Sequence, residues 1–247
     1  MNTLEPCSPE SAVTDAGLDV SRIRAITLDL DDTLWPIWPT ITRAEGVLHA
    51  WLSEHAPAAA ALSATPGTLR ELRNQMTTTR PDLAHDMSGL RRESIRLLLQ
   101  RAGDDPALAE PAFEVFFAER HRVELFEDAL PALEWLSSRY PVVAVSNGNA
   151  DVHRVGIGRH FRAALHAHGF GAAKPDPGIF HAAAQAAGVQ ASQVLHIGDD
   201  AHLDGVGALN AGMQLAWVNR EGHAWEHAPL APHITVSELL ALCRALG

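Results

Sequence analysis

Lysine is almost missing from this chain. Of its 19 basic residues, all but Lys174 are arginine. That makes the position of the lone lysine informative, because an ammonium is a compact point charge and a guanidinium is a wide planar fork. Cysteine is nearly absent too. Cys7 and Cys243 stand near opposite ends of the 247 residues, which excludes a disulfide framework and a thiolate metal site. A reducing cytoplasm is the expected setting. No apolar run nears the roughly 20 residues that a membrane span needs, so no membrane partner is expected. Met1 to Val20 has neither a basic start nor an apolar centre, and is expected to be a polar arm, not a secretory leader. Positive charge is short overall: 19 basic residues against 30 acidic leave a net charge of -11. Nucleic acid is therefore not an expected partner, since such binding needs cations to displace counterions. The 14 histidines are scattered, with no His-x-x-x-His pair on a convincing helix.

What remains is a globular composition, 47% apolar, long enough for one large domain or two smaller ones. The apolar run Ile23 to Leu28 reads as a short buried strand. Trp35, Pro36, Trp38 and Pro39 form an apolar, stiff turn, too short for a helix. Helices are expected over Thr40 to Ala56, from Thr65-Pro66-Gly67-Thr68 to Pro81, from Asp86 or Ser88 to Gly103, and from Pro106 to about Val123. From Asp128 onward the pattern alternates. Helices are expected at 128–138, 178–187, 203–211 and 237–246. Strands are expected at 142–145, 162–166, 194–197, 215–218 and 233–236. Such alternation implies an α/β fold with a parallel sheet and helices on both faces. The expected division is a Rossmann-like core at 21–37 and 124–247, an inserted all-helical domain at 38–123, and an arm at 1–20.

Polar residues then fall at the same end of successive strands. The first strand runs into Asp29, Asp31, Asp32 and Thr33, the second into Ser146 and Asn147, and a later one into Asp199 and Asp200, with Asp204 a turn beyond. Lys174 sits in the loop before a helix. In an open parallel sheet that edge is where ligands bind. Carboxylates without Cys or His partners suit magnesium. A lysine and a serine beside a helix start suit a phosphate. Magnesium, phosphate and a free carboxylate together point to phosphoryl transfer.

These four stretches, Asp29-Leu30-Asp31-Asp32-Thr33, Ser146-Asn147, Lys174-Pro175 and Gly198-Asp199-Asp200 with Asp204, resemble in order the motifs of the haloacid dehalogenase (HAD) superfamily of phosphohydrolases. The resemblance covers about 23–34 and 126–220. It implies a helical cap on a Rossmann-like core, Mg2+ as cofactor, and a small phosphorylated metabolite as substrate. It also implies roles. Asp29 would be the nucleophile that forms an aspartyl-phosphate, and Asp31 the general acid and base. Asp29, Asp199 and the Asp31 carbonyl would be metal ligands, and Ser146, Asn147 and Lys174 would hold the phosphoryl group. Asp204 would orient Lys174 or a metal-bound water, and Thr33 would shape the turn. Asp200 would act through water or cap the next helix.

An acid at Asp31 favours phosphate esters over halides, because halide leaves unprotonated. A phosphomutase would keep that acid too. A receiver domain or an inactive phosphate-binding protein are the readings from other classes. The order of Lys174 before the last acidic strand end argues against the receiver.

A narrower resemblance rests on Arg24 to Leu34, His85-Asp86, Arg91-Arg92-Glu93-Ser94-Ile95, Ser146 to Ala150 and His196 to Asp200. It is to bacterial phosphatases of flavin mononucleotide and of the ribitylaminouracil phosphate of riboflavin synthesis. It implies a ribityl phosphate bearing a ring. Trp35, Trp38, Arg91 and Arg92 are then the candidates for contacting the organic part.

Overall fold

The computed structural model describes residues 17–65 and 67–247. Most of the expected arm, with Cys7, lies outside the described residues, as does Pro66. The arm's last part is tied down. The Asp19 N–H donates to Gln214 Oε1 (2.8 Å), and Gln214 Nε2 donates back to the Asp19 carbonyl (2.9 Å).

Six parallel strands form one sheet: β1 (Ala25–Leu28), β2 (Val142–Ser146), β3 (Ala163–His166), β4 (Val194–Gly198), β5 (Gln214–Val218) and β6 (Ile234–Val236). Their order is β3-β2-β1-β4-β5-β6. The chain direction of strand addition reverses between β1 and β4, and a crevice opens beyond the strands' carboxyl ends at that point. Alternation along β1 serves two cores. Ile26 and Leu28 join a cluster with Leu133 and Leu136 on one face, and Ala25 joins Ile179, Phe180 and Ala183 on the other.

Eleven α-helices accompany the described strands. The first five are α1 (Ile37–His55), α2 (Pro57–Ser63), α3 (Thr68–Thr79), α4 (Met87–Ala102) and α5 (Ala109–Arg120). They all lie between β1 and β2 in sequence. They close on an apolar cluster of their own, built by Leu48, Leu52, Leu72, Ile95, Leu98, Phe113 and Phe116. The remaining six are α6 (Ala129–Ser137), α7 (Val152–Val155), α8 (Ala167–Phe170), α9 (Pro177–Ala187), α10 (Gly207–Asn210) and α11 (Leu239–Leu246). α6 and α11 cover one face of the sheet, and α9 and α10 the other.

Two expectations need correction. The stiff turn at 35–39 is shorter than expected, because α1 begins at Ile37. Pro39 is tolerated there, since its missing N–H falls in the first turn, where no intrahelical acceptor exists. The Ile37 N–H is instead taken by Asp32 Oδ1 (2.8 Å). The helix expected at 203–211 opens as a π-helical turn, Ala201–Val206, before α10.

Candidate active site

Asp29 is the first residue past β1, and its N–H donates to the Ile197 carbonyl on β4 (2.9 Å). The carboxylate therefore stands on the rim at the β1/β4 reversal. Lys174, on the loop between α8 and α9, reaches the same point. Its Nζ lies 2.7 Å from Asp29 Oδ1 and 2.6 Å from Asp204 Oδ1, and the residue is only 3% exposed. Asp199, at the end of β4, completes the group. Asp29, Asp199 and Asp204 each offer a carboxylate oxygen within 4.8 Å of the others. Thr33 Oγ1 donates to Asp199 Oδ1 (2.7 Å), and Trp217 Nε1 donates to the Asp199 carbonyl (2.7 Å). Thr33 thus holds a functional carboxylate as well as its turn.

The charges do not balance: three carboxylates meet one ammonium. Burial pushes the Asp29 carboxyl well above the usual carboxylate range, against the pull of Lys174. Burial, then the neighbouring Asp204, push Asp199 up to about 7. Burial opposes the charge on Lys174 as well, but Asp204 and Asp29 outweigh it and raise its pKa above the ordinary value. Asp204 resists burial because Lys174 and His196 hold it down to about 2.

His196 is a fully buried residue within β4. Its Nε2 lies 3.0 Å from Asp204 Oδ1 and its Nδ1 2.9 Å from Thr27 Oγ1. Burial keeps this imidazole neutral. An ionised Asp204 only accepts, so Nε2 carries the proton and Nδ1 accepts from Thr27. Asp204 is thereby fixed from behind while it aims Lys174. A polar residue inside the buried run Val194-Leu195-His196-Ile197 was the sequence signal for this role, and it went unread.

Asp31 leaves the rim toward the helices. Its carboxylate takes the Trp35 indole N–H (2.8 Å) and Nη2 of Arg120, which lies 2.7 Å from both of its oxygens. Arg120 ends α5 and is almost fully buried. Gly148 leaves room for this pair, because a Cβ there would lie 2.6 Å from Asp31 Oδ2. Beside the pair is a cavity of ≈ 120 Å³ lined by both strand ends and helices. It adjoins a larger one of ≈ 500 Å³ through the shared residues Met87, Gly148 and Asn149. Nothing in the local sequence marked Arg120 as Asp31's partner, 89 positions away.

The other expected residues divide. Ser146 is buried at the end of β2, with Oγ accepting from the Gly148 N–H (3.0 Å). Asn147 is corrected in part. Its side chain is committed to the Lys174 backbone, Nδ2 to the carbonyl (2.9 Å) and Oδ1 from the N–H (2.8 Å). The side-chain amide is therefore not free for a phosphoryl oxygen. Asp200 caps the turn that follows, accepting from His202 N (2.8 Å) and Leu203 N (2.7 Å). Trp35 is corrected: it is 0% exposed in the core, so it supports Asp31 and touches no ligand. Trp38, 57% exposed, does line the cavity. Arg91 lines it too, over the Phe116 ring. Arg92 is also corrected. It lies on Phe113 and pairs with Glu110 on α5, away from the cavity, because its neighbouring position on α4 turns it about 100° from Arg91.

The donors fit a hard divalent cation. Asp29 and Asp199 offer only oxygens, the imidazole of His196 is taken by Asp204, and the unbalanced charge on two raised carboxyls is what such a cation relieves.

Comparison with known proteins agrees with this geometry. Residues 23–212 match the haloacid dehalogenase-like hydrolases. The chain belongs to that family. It is 31% identical to the 5-amino-6-(5-phospho-D-ribitylamino)uracil phosphatase YigB of Escherichia coli, over 90% of this chain and 96% of that one. It is 30% identical to a phosphoserine phosphatase of Thermus thermophilus, over 88% and 96%. Among solved structures, a 2-haloacid dehalogenase of Pseudomonas syringae superposes with a TM-score of 0.82 at 38% identity, over 90% of this chain and 98% of that one. The expected enzyme class, a phosphoric monoester hydrolase, stands on the family and on these phosphatase relatives.

Proposed function

We propose that the chain hydrolyses a small phosphate monoester through an aspartyl-phosphate, with a ribityl phosphate bearing a ring as the favoured substrate. The observation that carries the chemistry is Lys174 held between Asp29 and Asp204, with Asp199 beside them. The substrate reading draws on the likeness to the ribitylaminouracil phosphatase.

Asp29 attacks phosphorus. A carboxylate oxygen–phosphorus bond forms, the ester oxygen–phosphorus bond breaks, and Asp31 gives its proton to the departing alkoxide. Asp31 then takes a proton from water as that water's oxygen attacks the phosphorus, freeing Asp29 and inorganic phosphate. Lys174 offsets the negative charge that Asp29 and the phosphoryl group bring together. Ser146 Oγ and the Asn147 main-chain N–H hold phosphoryl oxygens. Asp29, Asp199 and the Asp31 carbonyl would hold Mg2+, which would supply further charge neutralisation when bound. Helices α1–α5 serve as the cap, whose inner face meets the organic part.

Asp29→Asn is expected to abolish turnover of p-nitrophenyl phosphate while the circular dichroism spectrum stays unchanged. Retained turnover would exclude Asp29 as the nucleophile. A panel of phosphorylated metabolites tests the substrate. Equal rates on ribityl, flavin and unrelated phosphates would remove the ribityl reading and keep the phosphatase. The 38% identical dehalogenase structure motivates a second reading, carbon–halogen hydrolysis. Chloride release from 2-chloropropionate would favour it, but the carboxyl of Asp31 has no task there.

A further inference from the structure

The cavity beside Asp31 is walled by three arginines from three different helices: Arg73 on α3, Arg91 on α4 and Arg120 on α5. Asp29 and Lys174 do not line it. It is therefore distinct from the Asp29–Lys174 cluster, and it borders Asp31, the residue proposed above to protonate the leaving group.

The three guanidiniums are under-compensated. Arg120 spends Nη2 on Asp31, but its Nη1 is buried and has no hydrogen-bond partner. Arg91, 4% exposed, has Glu45 Oε1 at 3.2 Å; burial and the nearby Arg73 pull its pKa down to about 10, so it stays charged at neutral pH. Arg73 has no ion-pair partner within 4.0 Å among the described residues. It feels the same Glu45 only at longer range, and its pKa is lowered mainly by burial. Three positive charges thus share at most two negative ones, on Asp31 and Glu45, around a cavity whose other walls include Ile41, Met87 and Phe116. A buried guanidinium with an unmet N–H is costly in the free protein. A ligand that brings acceptor oxygens removes the cost.

We infer that Arg73, Arg91 and Arg120 form a subsite for a second acceptor group on the substrate: a planar group with two acceptor oxygens, carried by the alcohol that Asp31 releases. Arginine suits such a group because guanidiniums from separate helices can each donate to one of its oxygens. A carboxylate and a pyrimidinedione both offer two acceptor oxygens, on one carbon in the first and on either side of a ring N–H in the second. The first would make the substrate a phosphorylated hydroxy or amino acid; the second, a phosphorylated sugar alcohol bearing a heterocycle. The ≈ 120 Å³ cavity takes a carboxylate alone, and the ≈ 500 Å³ space that shares Met87, Gly148 and Asn149 with it leaves room for a ring and chain. This inference rests on the phosphatase reading above.

The test compares kcat/KM for three esters: ribitol 5-phosphate, which lacks the group, O-phosphoserine, and the ribitylaminopyrimidinedione phosphate. The wild-type enzyme is expected to favour one of the latter two over ribitol phosphate. In Arg73→Gln that ratio is expected to fall by about tenfold or more, as for loss of one charge-assisted hydrogen bond. Arg73→Lys is expected to restore part of it. Arg92→Gln, outside the cavity, is expected to leave it where it was. Which of the two esters responds identifies the source of the group. Calorimetric titration with serine and with the dephosphorylated pyrimidinedione alcohol reads the subsite without turnover, and binding is expected to weaken in Arg73→Gln. Hydrolysis of all three esters at equal kcat/KM, or a ratio and affinity that Arg73→Gln leaves unmoved, overturns the subsite and spares the phosphatase. Failure to hydrolyse the three esters and p-nitrophenyl phosphate alike overturns the phosphatase reading, and the titration still decides the subsite.

Discussion

Lys174 explains its own rarity in this chain. Its Nζ makes two contacts under 3 Å, to Asp29 and Asp204, in a space closed to water. A planar guanidinium at that point must push one carboxylate aside. Lys174→Arg is therefore expected to keep the charge and still lose about 10²-fold or more in kcat, the scale seen when one preorganised charge-stabilising donor is removed. Wild-type kcat in that variant would mean that charge alone suffices. Lys174→Met leaves buried carboxylates uncompensated and is expected to cost about 3–5 kcal/mol, read from urea unfolding without metal. The lone lysine was legible because its surroundings in the sequence were so uniform. Asn147 was legible only by half. Sequence placed it at the carboxyl end of β2, but its side chain binds the Lys174 backbone, a contact between loops 27 positions apart.

The turn after β4 settles how Asp200 and Asp204 divide their work. Asp200 accepts from two successive N–H groups and so starts the π-helical turn, Ala201–Val206, that carries Asp204. The Asp200 N–H in turn donates to Asp204 Oδ2 (3.1 Å). Gly198 makes this fold-back possible, since any Cβ there would collide with Asp204. Asp200→Ala is expected to cost about 0.5–2 kcal/mol, the usual loss for a helix cap, and to lower kcat through Asp204. Asp200→Asn keeps the acceptor and is expected to retain both stability and activity. A collapse of activity in the Asn variant at unchanged stability would instead make the charge at Asp200 functional. At this scale strands were read closely, because β-branched apolar runs are local. The start of α1 was not, because Pro39 signals a break except in a first turn, and only the hydrogen bond from Ile37 to Asp32 shows that it stands in one.

Taken whole, the molecule collects negative charge at one crevice, three carboxylates around a single ammonium. In metal-free protein Asp29 and Asp199 titrate above the unfolded carboxylate value, so the folded state holds more protons than the unfolded chain. Their contribution is complete below the unfolded value of about 4 and is lost as pH rises. For Asp199 the loss runs through about 7. Asp204 runs the opposite way: its contribution is present above the unfolded value and is lost as pH falls through about 2. With chelator, the urea midpoint is expected to drop between about pH 5 and pH 8, and magnesium is expected to raise it most at the upper end. Equal midpoints with and without magnesium at the higher pH would dismiss the metal site.

Sequence alone determined the sheet, the helical block between its first two strands, and the meeting of Asp29 and Asp199 on one rim, and it singled out Lys174. Parallel strands have to share one carboxyl edge, so residues at their ends face the same rim; the loop that carries Lys174 reaches that rim through tertiary packing. Tertiary structure decided what lies behind and across from that edge: Arg120 on Asp31, His196 behind Asp204, Trp35 inward and Trp38 outward. Those contacts depend on how a helix rotates and seats against a strand end. That seating comes from side chains interlocking across long stretches of chain, and no local period encodes it.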